Sequence, residues 1–148
     1  TINSLEASDR PRDKVQATVD LNVLRFGQIL QGRLLMVSPG ALVPNNDYTL
    51  SEQERKLPVR IRGRSRHNVV RLQLPEGFVL DELPESLKVT STFGDYEVSW
   101  KVHDRELLFE QSVRFHNLTV PAAQYADVRA FFSKFSGTQT QAVVFEKK

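Results

Sequence analysis

The chain has 148 residues, about one domain's length and enough to bury a real core. With 40% hydrophobic and 26% charged residues it is not a disordered chain, and a formal net charge of +2 excludes polyanion binding over its whole surface. Cysteine is absent, which excludes disulfides, thiolate metal sites and a cysteine nucleophile within these residues, and no apolar run approaches the ~20 residues of a membrane helix.

The sequence starts at Thr1 rather than Met and reads as a piece of a longer protein, with targeting information outside it. Residues 1–14 are polar and non-periodic, and read as a linker; a single domain is expected over 15–148. Val15, Ala17, Val19, Leu21 and Val23 then share one parity, "RFG" supplies a turn, and a second strand is predicted to run to Val37, which together read as a hairpin. Residues 38–57 are rich in turn formers and read as a long connection. "PVRIRGRSRHNVVRLQLP" follows, with Arg60, Arg62, Arg64 and Arg66 at every second position and Val70, Leu72 and Leu74 on one face.

"PEGFVLDELPESLKV" is punctuated by Pro75, Gly77 and Pro84 and reads as a loop. Residues 88–117 read as three antiparallel strands turned at "FGDY" and "HDRE". On them Tyr96, Val98, Trp100 and Val102 share one face, as do Leu107, Phe109, Gln111, Val113 and Phe115. The period then changes. Tyr125, Val128, Phe132 and Phe135 fall at helical spacing, with Pro121 suited to the first turn, Lys134 to the last and Gly137 to the position past the end. "TQAVVFEK" closes the chain as a strand. The expectation is a mainly β, antiparallel β-sandwich, Ig-like in general architecture, with one C-terminal helix around residues 121–136.

The arginines are the candidate binding residues. Between Arg55 and Arg71 lie seven Lys/Arg and no Asp/Glu, against 13 basic and 18 acidic residues elsewhere. On a strand, alternate side chains stand about 7 Å apart on one face, close to the phosphate spacing of a nucleic-acid strand. The competing reading is a wet or edge strand whose like charges discourage aggregation. No stacking aromatic lies between Leu57 and Phe78, so nucleic-acid binding is not expected. His67, His103 and His116 form no HxH or HExxH spacing, and neither a metal nor a cofactor is expected. Asp81, Glu82 and Glu85 read as a solvated acidic loop, and no serine sits in a G-x-S-x-G elbow.

The "LPEGFVLDELPE" stretch (Leu74, Pro75, Gly77, Phe78, Leu83, Pro84) and the "VPAAQYADVRAFF" stretch (Val120, Pro121, Tyr125, Arg129, Phe131, Phe132), with "RKLPVRI", "FGDYEVSW" and "AVVFEK", resemble the C-terminal β-domain of bacterial transglutaminase-like proteins. The resemblance runs over residues 55–148; over 1–54 only the hairpin and turn pattern agree. In that family this domain, of unknown function, follows an N-terminal β-domain and a papain-type core. The resemblance implies that catalysis belongs to a Cys-His-Asp triad in the core, outside this chain, where the cysteine is the nucleophile. It also implies an exported parent protein. The function expected is that of a non-enzymatic accessory domain, packing on the core of the same parent chain or docking its substrate or partner. The alternative is an autonomous module binding a carbohydrate, peptide or anionic polymer. No membrane insertion is expected of these residues.

Overall fold

The computed structural model describes residues 1–8, 15–24, 26–44 and 50–148. Its centre is a four-stranded antiparallel sheet in the order β6 (Arg64–Gln73), β10 (Glu106–Phe115), β9 (Gly94–His103), β8 (Leu87–Ser91). The three strands expected over residues 88–117 are β8, β9 and β10. The β9–β10 turn places Asp104 in left-handed backbone (φ 51°), which a short polar side chain tolerates. One face of this sheet is mostly apolar. Tyr96, Val98 and Trp100 of β9 and Leu107, Phe109, Gln111, Val113 and Phe115 of β10 are all buried there.

Two covers divide that face. Over one half lies a second antiparallel sheet, in the order β3 (Gln28–Leu30), β4 (Leu34–Val37), β12 (Val143–Lys147), β7 (Phe78–Glu82). Its Leu35, Val37, Val143 and Phe145 pack with Val98, Trp100, Leu107 and Phe109 to make a sandwich core. Over the other half lie α1 (Tyr125–Gln139) and the short pair β5 (Val59–Ile61) and β11 (Leu118–Val120). The predicted stripe Tyr125, Val128, Phe132 and Phe135 is buried against Tyr96, Val113 and Phe115, joined by Phe131. Its rings meet edge to face, with Phe135 5.2 Å from Tyr96 and Phe132 5.1 Å from Phe115 between centroids. Between the two cores runs a polar seam, where Asn68 Nδ2 donates to Gln111 Oε1 at 3.1 Å.

Several boundaries differ from the expectations. The helix is preceded by a 3-10 turn at Ala122–Gln124 and runs through Gly137 to Gln139, so Gly137 is inside it, not past its end. Burial of Thr138 and Gln139 favours this last turn, and Thr138 Oγ1 donates to the Phe135 carbonyl at 2.7 Å. Residues 78–82, read as loop, are strand β7, because Phe78–Glu82 pair with β12 far along the chain. The connection 38–57 holds a 3-10 turn at Pro39–Leu42, and residues 45–49 of it lie outside the described residues.

The start of the chain differs most. Residues 2–8, read as linker, form strand β1 (Ile2–Ser8), paired antiparallel with β2 (Gln16–Leu21). The strand holding Val19 and Leu21 therefore pairs backwards with β1, not forwards with the segment ending at Val37. That segment makes its own hairpin, β3–β4, closed by Arg33 N–H to Leu30 O at 3.0 Å.

Candidate functional site

The four arginines are not one ladder. β5 ends at Ile61 and β6 begins at Arg64, and the two strands pair with different partners, β11 and β10. At the break Gly63 runs against Asn117: a Cβ there would stand 3.0 Å from Asn117 Cβ and 3.2 Å from its backbone nitrogen. Across the break the parity reverses. In β5 the odd residues Val59 and Ile61 are buried and Arg60 is exposed. In β6 the even residues turn inward, because Arg64 lies opposite Phe115 and Arg66 opposite Val113 on the apolar face of the sheet. Arg64 sets its guanidinium 5.3 Å from the centroid of the Phe115 ring. Arg60 and Arg62 thus face water, while Arg64 and Arg66 are half-buried, their stems lying along apolar surface. Neither a continuous polyanion grip nor a single wet face describes them.

Of the four, only Arg64 and Arg66 lie in an edge strand of the central sheet, β6. Among the described residues β6 pairs only with β10 and forms one edge of the central sheet. Asp81, Glu82 and Glu85 are exposed, at the end of β7 and in the loop after it.

The outer face of the central sheet carries an arrangement that reading residues singly does not find. A shallow groove of about 460 Å³ crosses all four strands. The register sets its floor in rungs: Lys88, Glu97, Ser112 and His67 on one, Thr90, Asp95, Arg114 and Ser65 on the next. Charges alternate along them, with Lys88 Nζ 3.2 Å from Glu97 Oε2. His67 stands between a hydroxyl and a carboxylate: Nδ1 shares a hydrogen bond with Ser112 Oγ at 2.9 Å, and Nε2 lies 3.4 Å from Glu110 Oε1. His116, just past β10, reaches the Thr92 carbonyl through Nδ1 at 3.0 Å and Asp95 through Nε2 at 3.5 Å, which ties the end of β10 to the β8–β9 turn.

Ser112, His67 and Glu110 have the hydrogen-bond order of a catalytic triad without its surroundings. The His67 side chain is 55% exposed, and β10 is paired on both sides, so its amides are committed to the sheet and form no oxyanion-binding pair beside Ser112. The arrangement offers a ligand hydrogen bonds and paired charges. Among the described residues no three His, Asp or Glu are placed to hold a metal ion.

A third feature is the β1–β2 hairpin. Opposed pairs Ile2–Leu21, Leu5–Val19 and Ala7–Ala17 share one face, and Ser4–Asp20 and Glu6–Thr18 the other. A register shift between Ile2 and Ser4 brings Ile2 onto the apolar face, which alternation alone would deny it. That face is open: Ile2 is 67% exposed, Leu5 63% and Val15 75%.

No functionally curated protein matches the sequence. In three dimensions the chain is similar to a crystal structure from Parabacteroides distasonis ATCC 8503, described as a "putative protease", with a TM-score of 0.61 at 10% identity. The likeness covers 78% of this chain and 24% of that one, so the shared fold spans about a quarter of the longer molecule. The family model for a domain of unknown function with solved structure, DUF3858, matches residues 33–145, from the start of the β3–β4 hairpin's second strand to β12, and the chain belongs to that family.

Proposed function

We propose that this domain is a non-catalytic accessory module of a bacterial, exported transglutaminase-like protein, and that it packs on the papain-type core of that protein through its N-terminal hairpin. The observation that carries the reading is the open apolar face of β1–β2. An isolated two-stranded hairpin is marginal in water, and one with a segregated apolar face gains stability from a cover. The fold's likeness to about a quarter of a longer chain described as a protease fits a module within a larger enzyme.

The test uses the full-length parent protein carrying Leu5→Asp with Val19→Asp. The expected result is loss of one cooperative thermal transition in favour of two, with faster proteolysis between core and domain. An unchanged single transition overturns the docking, and a full-length reading frame without a papain-type Cys-His-Asp core overturns the assignment.

The outer groove favours a second reading, a binding module for a carbohydrate, peptide or anionic polymer. For the polymer version, heparin retention at ~0.1 M salt that is abolished by Lys88→Ala with Arg114→Ala, the exposed cations of the groove, is the expected outcome, and no retention there refutes it.

A further inference from the structure

The second sheet is apolar on both sides. Leu35, Val37, Val143 and Phe145 point into the sandwich core, so their neighbours Leu34, Met36 and Val144 point away from it. The register extends that outer face in two rungs, Gln28–Met36–Val144–Glu82 and Leu30–Leu34–Glu146–Val79. Its apolar members are Leu30, 45% exposed, and the half-buried Leu34, Met36, Val79 and Val144. Glu82 stands on the edge strand β7, and Glu146 is tied to Arg33 at 2.8 Å. Strands apolar at both parities, as in "LLMV" and "VVF", have the pattern of strands covered on both faces. The outer face of the central sheet is built differently: among the described residues, Val69 and Leu108 are its only apolar members.

Area connects this face to the hairpin. Two strands six residues long cover about 200 Å², against about 800 Å² per partner in a standard interface. The outer face of β3–β4–β12–β7 adds about 250 Å². Together, with the relief of their side chains, the two surfaces approach the standard size, and neither does so alone. They are also tethered. Residues 22–27 link β2 to β3 and span at most about 25 Å, so a body seated on the hairpin is held within reach of β3, an edge of this sheet.

We propose that the outer face of β3–β4–β12–β7 is the second half of the docking surface: the papain-type core that covers the hairpin also lies on Leu30, Leu34, Met36, Val79 and Val144. This rests on the accessory-domain reading and adds to it the surface that gives the contact its area.

Met36 is the chain's single methionine and serves as the probe. Peroxide converts its thioether to the sulfoxide at a rate that follows access, read by mass spectrometry of the peptide that contains it. In the full-length parent Met36 is expected to oxidise about tenfold more slowly than in the 148-residue chain, as a docked form outnumbering the open one by about ten to one requires. Val144→Lys, opposite both Met36 and Glu82, is expected to restore the faster rate in the parent and to leave that of the 148-residue chain nearly unchanged. Equal rates in the two unaltered proteins overturn the proposal. A dimeric 148-residue chain whose Met36 is already protected also overturns it, by giving the face to a second copy. The hairpin is scored separately. If Leu5→Asp with Val19→Asp splits the parent's thermal transition while Met36 stays fast, the accessory-domain reading holds and this inference fails. Should Val144→Lys fail to fold, the two unaltered proteins still decide.

Discussion

The reversal of parity at Gly63 predicts that Arg60 and Arg64, four positions apart in one motif, differ in their contribution to stability. Arg64→Ala removes a guanidinium 5.3 Å from the Phe115 ring centroid, and Phe115 itself is 2% exposed. A cation over a ring contributes about 0.5–1 kcal/mol when exposed and about 2 when desolvated, so a half-buried site falls near 1 kcal/mol. The three-methylene stem, at about 0.8 kcal/mol per fully buried CH₂, adds about 1 kcal/mol at half burial. The total is about 2 kcal/mol, or roughly 4–8 °C in Tm for a chain of this size. Arg60→Ala removes an exposed side chain opposite Thr119 and is expected to cost less than about 0.5 kcal/mol. Guanidinium unfolding of both variants, at a common slope, separates the two values, and Arg64→Lys should fall between them because it keeps the charge without the planar stack. Equal midpoints for Arg60→Ala and Arg64→Ala would refute the inward placement of Arg64.

Two further outcomes follow from the helix-covered core. Phe135 is fully buried, with its ring 5.2 Å from Tyr96 and 5.7 Å from Phe115, so Phe135→Ala should cost about 3–5 kcal/mol by denaturant midpoint; a cost below about 2 would mean that the helix does not seal this face. Tyr96 is 2% exposed, its hydroxyl has no hydrogen-bond partner among the described residues, and burial raises its pKa above 10.0. The unfolded chain therefore loses this proton at a lower pH than the folded one, and the stability held below pH 10.0 declines as pH climbs through the folded value. Tyr96→Phe should be neutral or slightly stabilising at pH 7 and should flatten the alkaline decline; a loss of more than about 1 kcal/mol at pH 7 would show that the hydroxyl has a partner.

The sequence announced elements that bury one face. β9 and β10 alternate strictly because one side of each packs on a cover, and α1 repeats at helical spacing because one stripe meets Tyr96 and Phe115. It concealed β1 for the converse reason. The shift between Ile2 and Ser4 puts Ile2 and Leu5 on one face at a spacing that alternation does not allow, so the segment reads as patternless. The apolar segment nearest to β2 in sequence lies downstream, whereas its partner β1 lies upstream. β7 is short and follows Pro75 and Gly77, and its pairing with β12 is invisible locally. The groove depends on register between strands far apart in sequence: His67 meets Ser112 45 residues away. The arginine spacing was legible, but not its meaning. Even spacing continues straight through Gly63, where one strand stops, another starts and the buried parity changes.

The composition of the hairpin's open face constrains how it can be used. Apolar area without charge, as along Ile2, Leu5, Val19 and Leu21, has the composition of permanent interfaces, whose covers are not exchanged. Its affinity should strengthen or hold as salt rises, since excluded salts favour apolar burial. A core that stays docked at high salt assigns the hairpin to architecture, and release of the core as salt rises would overturn that assignment.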